Sequence, residues 1–346
     1  KFESMFKEVV NADYAVAVSN GTAALHITLL ALDIGKGDEV ITTPNSFLAT
    51  SNAILYVGAK PVFVDIEPSQ FGIDVNKIEA AITDKTKAII PVHFGGFPVN
   101  LQAIQSIAEK YKLVVVEDAC HALGGEYNNT KIGSSTYSNC STFSFHPVKH
   151  IATGEGGMIT TNSKDIYDRL CMLRTHGVTK DINKMEQNSG PWYYEMQSLG
   201  FNYRMTDFQA ALGVSQLKKL PKFIKKRREI AKQYDQAFEP LNWLQSIQEH
   251  DSILSAYHLY AVQIDFRKIK KTRSQVMQEL KSKGVGTQVH YIPIINQPYY
   301  KENVSIDGEF PNTNNFYEKE LSLPMFPLMK ESDVKTVIKA VKELSQ

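Results

Sequence analysis

Residues 141–157 read STFSFHPVKHIATGEGG, and the fold and the chemistry both turn on that stretch. The run from Cys140 to Phe145 is rich in β-branched and aromatic side chains, and Pro147, which cannot donate to a sheet ladder, stops it. Lys149 therefore falls on a loop just past a strand end, with Gly154, Gly156 and Gly157 following. Ligands of open α/β sheets bind outside the carboxyl ends of the strands. A lysine partly desolvated there has a lowered pKa and offers a neutral amine for a Schiff base. Taken alone, a solvated lysine beside a glycine-rich turn reads the same way, so its partners elsewhere must decide.

Outward from this stretch, six more strand-like runs occur at 15–19, 39–44, 61–66, 88–93, 112–119 and 158–162. Helical patterns at 23–32, 48–56, 77–82 and 101–110 alternate with them. That alternation predicts an α/β fold with a seven-stranded, mostly parallel sheet covered on both faces. Residues 164–174 read as a helix and 178–190 as a polar loop, followed by the aromatics Trp192, Tyr193 and Tyr194. Thr206 or Asp207 caps a helix to Leu217, and a basic helix over 222–238 presents a solvated face. Beyond 239 the pattern changes to strand 257–266, helix 273–283, strand 286–291 and a closing helix 333–344. The expected organisation is a large α/β domain over 1–238 and a smaller α+β domain over 239–346.

Several side chains stand out within this frame. Asp118 ends the apolar run Leu113–Val116, and a carboxylate at a strand tip needs a cation, a donor or a helix to cap. Gly21 and Thr22 open the helix after the first strand, where free N–H groups suit a phosphate as well as an ordinary cap. Phe47 follows a strand end, a position more often core than a plate for a flat ring. His290, Tyr291 and His258 are polar groups in apolar surroundings, and on residues alone a core role is favoured over a cleft.

The formal net charge of +1 gives no electrostatic case for nucleic acid or an anionic membrane. No apolar run approaches the roughly 18 residues of a membrane span. Three cysteines without metal or redox spacing suit a reducing cytoplasm. KFESMFKEVV has no signal-peptide core; it also lacks a starting methionine, so a natural segment is expected ahead of it. No metal site is expected: His146 and His150 have helical spacing, but Pro147 stands between them. GxxxxGK[ST], HExxH and GxSxG are absent, and SNGT stands where a dinucleotide fold would carry GxGxxG.

Read together, SNGTAALH, TPNSFLATSNAI, PVHFGG, VVVEDACHALGG, STFSFHPVKHIATGEGG, LGFNYRMTDFQAALG, HLY, GTQVHYIP and LSLP resemble the DegT-type sugar-nucleotide aminotransferases. These belong to the aspartate-aminotransferase (type I) fold and use pyridoxal 5'-phosphate. Within the family, FSFHPVKHIATGEGG, WYYEMQSLGFNYRMTDFQAALG and GTQVHYIP are most like the pseudaminic-acid pathway transaminases.

The resemblance implies that Lys149 bonds the cofactor, Asp118 pairs with the pyridine nitrogen, and His121 and Phe47 lie against the ring. Gly21, Thr22 and Ser144 would form the phosphate cup. Asn202 would reach the phosphate of a neighbouring subunit, implying a homodimer with shared sites, and His290 and Tyr291 would line the substrate cleft. L-glutamate would be the donor and a UDP-linked 4-keto-6-deoxy sugar the acceptor, with dTDP-, GDP- or other UDP-linked 4-keto sugars as alternatives. Part of the sugar-nucleotide site would lie on an arm ahead of residue 1. Relatives with histidine in place of the lysine are dehydratases; Lys149 favours transamination.

Overall fold

The structure, a computed structural model, describes residues 1–345. Its central sheet has seven strands: β1 Tyr14–Val18, β2 Glu39–Thr42, β3 Lys60–Phe63, β4 Thr86–Ile89, β5 Val114–Asp118, β6 Cys140–Ser144 and β7 Gly157–Thr161. They lie in the order β1-β7-β6-β5-β4-β2-β3. β7 runs antiparallel between β1 and β6, and the other pairings are parallel. All seven match the runs read from the sequence, as does the mostly parallel arrangement. Both faces are covered, which is why Val115–Val116 and Met158–Ile159 are buried as continuous apolar runs rather than alternating.

The covering helices are α1 Phe2–Val10, α2 Gly21–Ala31, α3 Leu48–Tyr56, α4 Leu101–Tyr111, α5 Lys164–Leu173, α6 Asp207–Leu217 and α7 Leu220–Phe238. The sequence reading did not find α1. Its Phe2, Phe6 and Val10 recur every four residues and are buried. The two phenylalanine rings pack on β6 and beyond it, Phe6 to Phe143 at 5.1 Å and Phe2 to Phe145 at 5.3 Å between centroids. α6 begins at Thr206, whose hydroxyl and Gln209 form a capping box. Its Gly213 leaves room for Phe2: a Cβ there would stand 2.7 Å from the ring.

After α7 come β8 Leu244–Ser246, β9 Tyr260–Ile264 and β10 Glu320–Leu323, an antiparallel sheet in that order, with α8 Arg273–Ser282 and the closing helix α9 Glu331–Lys342. The chain also returns to the large sheet. Ile294, Ile295, Tyr300 and Phe310 cluster with Phe63, and buried Asp65 accepts the Thr313 N–H at 2.9 Å.

Four sequence expectations are corrected. Residues 286–291 are not a strand: only Gln288 bridges to β10, at Ser322, because the next inward N–H, that of His290, is taken by the Glu320 carboxylate at 2.9 Å. His258 precedes β9 instead of lying in it. Tyr257 is left-handed (φ 45°), and the carbonyls of Tyr257 and His258 are taken by Arg227. Arg227 in turn is not on a solvated face of α7; it is buried, and its Nη1 donates to those two carbonyls and to that of Met325 at 3.0–3.1 Å. Residues 178–190, read as loop, begin with a two-residue strand, Val178–Thr179, paired with Glu195–Met196. Among the described residues no helix is long and apolar enough to cross a membrane.

Candidate active site

β1, β2, β4, β5 and β6 point their carboxyl ends at one cavity of about 760 Å³. Four of them deliver polar or aromatic residues at or just past their ends: Asn20–Thr22 after β1, Ser46 and Phe47 after β2, Asp118 at the end of β5 with His121 beyond it, and Ser144 at the end of β6 with Lys149 beyond it; β4 leads to Val92. His290 and Tyr291 close it from the segment beside β10. Nine of the ten residues singled out from the sequence therefore line one space. Asn202, the tenth, is exposed and does not line the cavity of its own chain.

Asp118 is buried and oriented by donors. Thr50 Oγ1 donates to its Oδ2 at 2.6 Å, and the Cys120 N–H donates to its Oδ1 at 3.2 Å. Ser46 and Thr50 hydroxyls are 2.7 Å apart. The Thr50 proton is given to Asp118, so Ser46 donates to Thr50 and the chain Ser46–Thr50–Asp118 has one polarity. Thr50 and Ser46 were missed from the sequence. Their signal was two hydroxyls at i and i+4 flanking the start of α3, one turn apart.

Lys149 is half-buried. Burial lowers its pKa from the ordinary lysine range, opposed by Cys120 and Asp118. The Cys120 thiol is pushed well up, chiefly by burial and further by Asp118. Behind the lysine sits a wall of imidazoles. His121 and His258 rings are 4.3 Å apart and His258 and His150 5.3 Å apart, all three buried. Burial, with the Lys149 charge adding to it, holds all three well below the usual histidine range, so the wall is neutral. His150 Nε2 is 3.0 Å from the Ala256 carbonyl, whereas Nδ1 of His121 and of His258 have no partner among the described residues.

Phe47 is 57% exposed, so it is not core, and its ring stands 5.9 Å from that of Tyr291. The Tyr291 hydroxyl and His121 Nε2 pair at 3.3 Å. His290, for which residues alone favoured a core role, lines the cavity too. At the other end Ser144 Oγ accepts the His146 N–H at 3.3 Å, and the first turn of α2 lies against it. A Cβ at Gly21 would stand 2.9 Å from the Ser144 Cβ, so only glycine lets the helix start and the hydroxyl meet there. The Asn20 side chain caps α2 through the Ala23 N–H at 2.8 Å. The cap reading is met by Asn20, and the helix start still opens on the cavity, where an anion would find free N–H groups.

These features fit pyridoxal phosphate: a helix start pressed against a hydroxyl, an amine with a lowered pKa, a buried carboxylate facing the cavity, and an orphaned ring nitrogen on His121. No group of three or more histidine, cysteine, aspartate or glutamate side chains is placed to hold a metal ion among the described residues.

Comparison with known proteins agrees. The Bacillus subtilis spore coat polysaccharide biosynthesis protein SpsC is 43% identical over 99% of this chain and 88% of its own. Helicobacter pylori PseC, an aminotransferase involved in the biosynthesis of pseudaminic acid, superposes with a TM-score of 0.91 at 31% identity, covering 99% of this chain and 90% of that one. Spr1654 from Streptococcus pneumoniae, solved in PMP and PLP forms, superposes with TM-scores of 0.91 and 0.90 at 30% and 29% identity, each over 99% of this chain and 90% of its own. Residues 1–342 match a single family over their whole length, and the chain belongs to it: the DegT/DnrJ/EryC1/StrS aminotransferases, sugar aminotransferases dependent on pyridoxal phosphate.

Proposed function

We propose that the chain transfers an amino group from L-glutamate to C4 of a UDP-linked 4-keto-6-deoxy-N-acetylhexosamine. The observation that carries this reading is the meeting of Lys149 and Asp118 in one cavity at the carboxyl edge of the sheet. Lys149 would hold the cofactor's aldehyde carbon, Asp118 its ring nitrogen, Ser144, Gly21 and Thr22 its phosphate, and Phe47 and His121 its ring. When bound, pyridoxal phosphate supplies an electron sink for the carbon that loses its proton.

The chain's own groups do the rest. Asp118 receives only neutral donors, from Thr50 and Cys120, so its charge is left for a cation in the cavity. Lys149, its pKa lowered by burial, takes and returns the proton at Nζ. The neutral imidazole wall adds no positive charge that would oppose a protonated ring. Tyr291, whose pKa burial raises, keeps its hydroxyl proton and remains a donor.

A homodimer with Asn202 reaching into the neighbouring site is part of the proposal. Trp192, Leu199 and Phe208 are 71%, 76% and 91% exposed, an apolar band flanking Asn202 in sequence that water alone would not favour. The division into domains at 238/239 is supported by the change there from a parallel to an antiparallel sheet. The three free cysteines suit a cytoplasmic setting.

A second reading keeps the chemistry and changes the nucleotide sugar: SpsC, named for spore coat polysaccharide and not for pseudaminic acid, is 43% identical to this chain, against 31% for PseC. Incubation with glutamate and a panel of UDP-, dTDP- and GDP-linked 4-keto sugars, read by mass spectrometry of the amino sugar, separates them. UDP-linked turnover is expected; turnover confined to another nucleotide overturns the first reading.

A further inference from the structure

Beside the cavity, β10 and the segment ahead of His290 run antiparallel through the bridge between Gln288 and Ser322. In that register His290 lies opposite Glu320, and Glu320 and Ser322, two residues apart, share a face. Three polar groups are thereby brought into line. Ser322 Oγ is 2.6 Å from Glu320 Oε1 and 2.8 Å from His290 Nδ1, and the His290 N–H donates to Glu320 Oε2 at 2.9 Å. Glu320 and Ser322 are buried, while His290 lines the cavity and its Nε2 has no hydrogen-bond partner among the described residues. A glutamate deep in a sheet, with no carboxylate–cation pair of its own, is expensive unless it has a task.

We propose that Glu320 and Ser322 are positioning residues that set the tautomer of His290, and so decide whether its Nε2 offers the sugar substrate a donor or an acceptor. This rests on the aminotransferase reading for the identity of the substrate. With Glu320 ionised, Ser322 donates to it, accepts the Nδ1 proton and leaves Nε2 bare. When one proton enters at Nε2, the Nδ1 proton passes to Ser322 and the Ser322 proton to Glu320. The result is a neutral imidazole with Nε2–H and a neutral acid, one proton having been gained.

Burial favours this path over simple charging of the ring. It pushes His290 down to about 4, with Lys149 adding to the effect, and Glu320 up to about 8 against the pull of Ser322, the His290 N–H and Arg273. The other charged or titratable groups facing the pair are Arg273 on α8, Lys149 after β6, His121 after β5, and Tyr291 next to His290.

Nitrogen-15 NMR of the imidazoles in the cofactor-loaded chain, with His290 assigned through His290→Gln, reads the tautomer directly. The expected result is Nε2 protonated on the acid side of about pH 8 and bare on the alkaline side. Ser322→Ala abolishes that step and raises KM for the keto sugar roughly tenfold, the worth of about one hydrogen bond. Ser322→Thr retains both. A single tautomer across the range, or an unaltered step in Ser322→Ala, overturns the relay. The NMR readout needs no turnover, so failure to aminate any keto nucleotide sugar would count against the substrate reading alone.

Discussion

Replacing His258 by phenylalanine should make the protein less sensitive to acid, and by a calculable amount. His258 is buried between the rings of His121 and His150, and its Nδ1 has no partner, so a flat apolar ring loses no hydrogen bond there. Its pKa is held well below the usual 6.5, first by burial and then by His121, Lys149, His150 and Arg227. Below about pH 6.5 the unfolded chain therefore binds a proton at this position that the folded chain does not. Stability falls with acidification as a result, starting at the unfolded pKa. From pH 7.5 to 5.5 this one site removes about 1.4 kcal/mol, the value of one full proton difference over the single unit below 6.5. His121 and His150 carry the same liability, but they are present in both proteins and cancel. Urea unfolding of wild type and His258→Phe at both pH values, with the same cofactor concentration, gives the double difference. The variant should gain about 1.4 kcal/mol on wild type between pH 7.5 and 5.5, whatever their offset at pH 7.5. Parallel pH dependences would refute the neutral imidazole wall.

Thr50→Val should cost about 1.5–3 kcal/mol in urea unfolding, since it removes a buried donor from a carboxylate, and Thr50→Ser should restore most of it. Asp118→Asn should still bind pyridoxal phosphate yet lose at least roughly a hundredfold in kcat, since an ion pair in the interior loses one partner; turnover within a few-fold of wild type would remove Asp118 from the ring nitrogen. On the proposed homodimer, Phe208→Asp places a charge on an exposed apolar side chain near Asn202 in sequence and should shift the light-scattering mass from dimer to monomer; an unaltered dimer would move the interface elsewhere.

The large sheet was legible because its strands are largely apolar runs closed by glycine, proline or asparagine, and the polar residues that line the cavity cluster where those runs stop. Lys149 and Asp118 stood out that way, whereas Ser144 was singled out only through the family resemblance. What escaped was decided by side chains distant in sequence. Residues 286–291 have strand composition, yet a strand needs main-chain acceptors and Glu320 claims the His290 N–H instead. Tyr257–Leu259 reads as strand too, but Arg227 and the carbonyls of Gly95 and Gly96 hold it in another path: the Leu259 N–H goes to Gly95 and the Ala256 N–H to Gly96. Thr50 is one more hydroxyl in a helix until β5 brings Asp118 beneath it. The apolar spacing of α1 is visible in the sequence at Phe2, Phe6 and Val10, but a lysine and glutamates between them mask it as a mixed-charge segment.

Borohydride reduction of the cofactor-loaded protein, followed by peptide mass spectrometry, tests the core of this account most directly. The pyridoxyl phosphate label should sit on the peptide carrying Lys149, and its loss in Lys149→Ala should coincide with loss of visible absorbance and of turnover. A label on another lysine, or full turnover without Lys149, would contradict it.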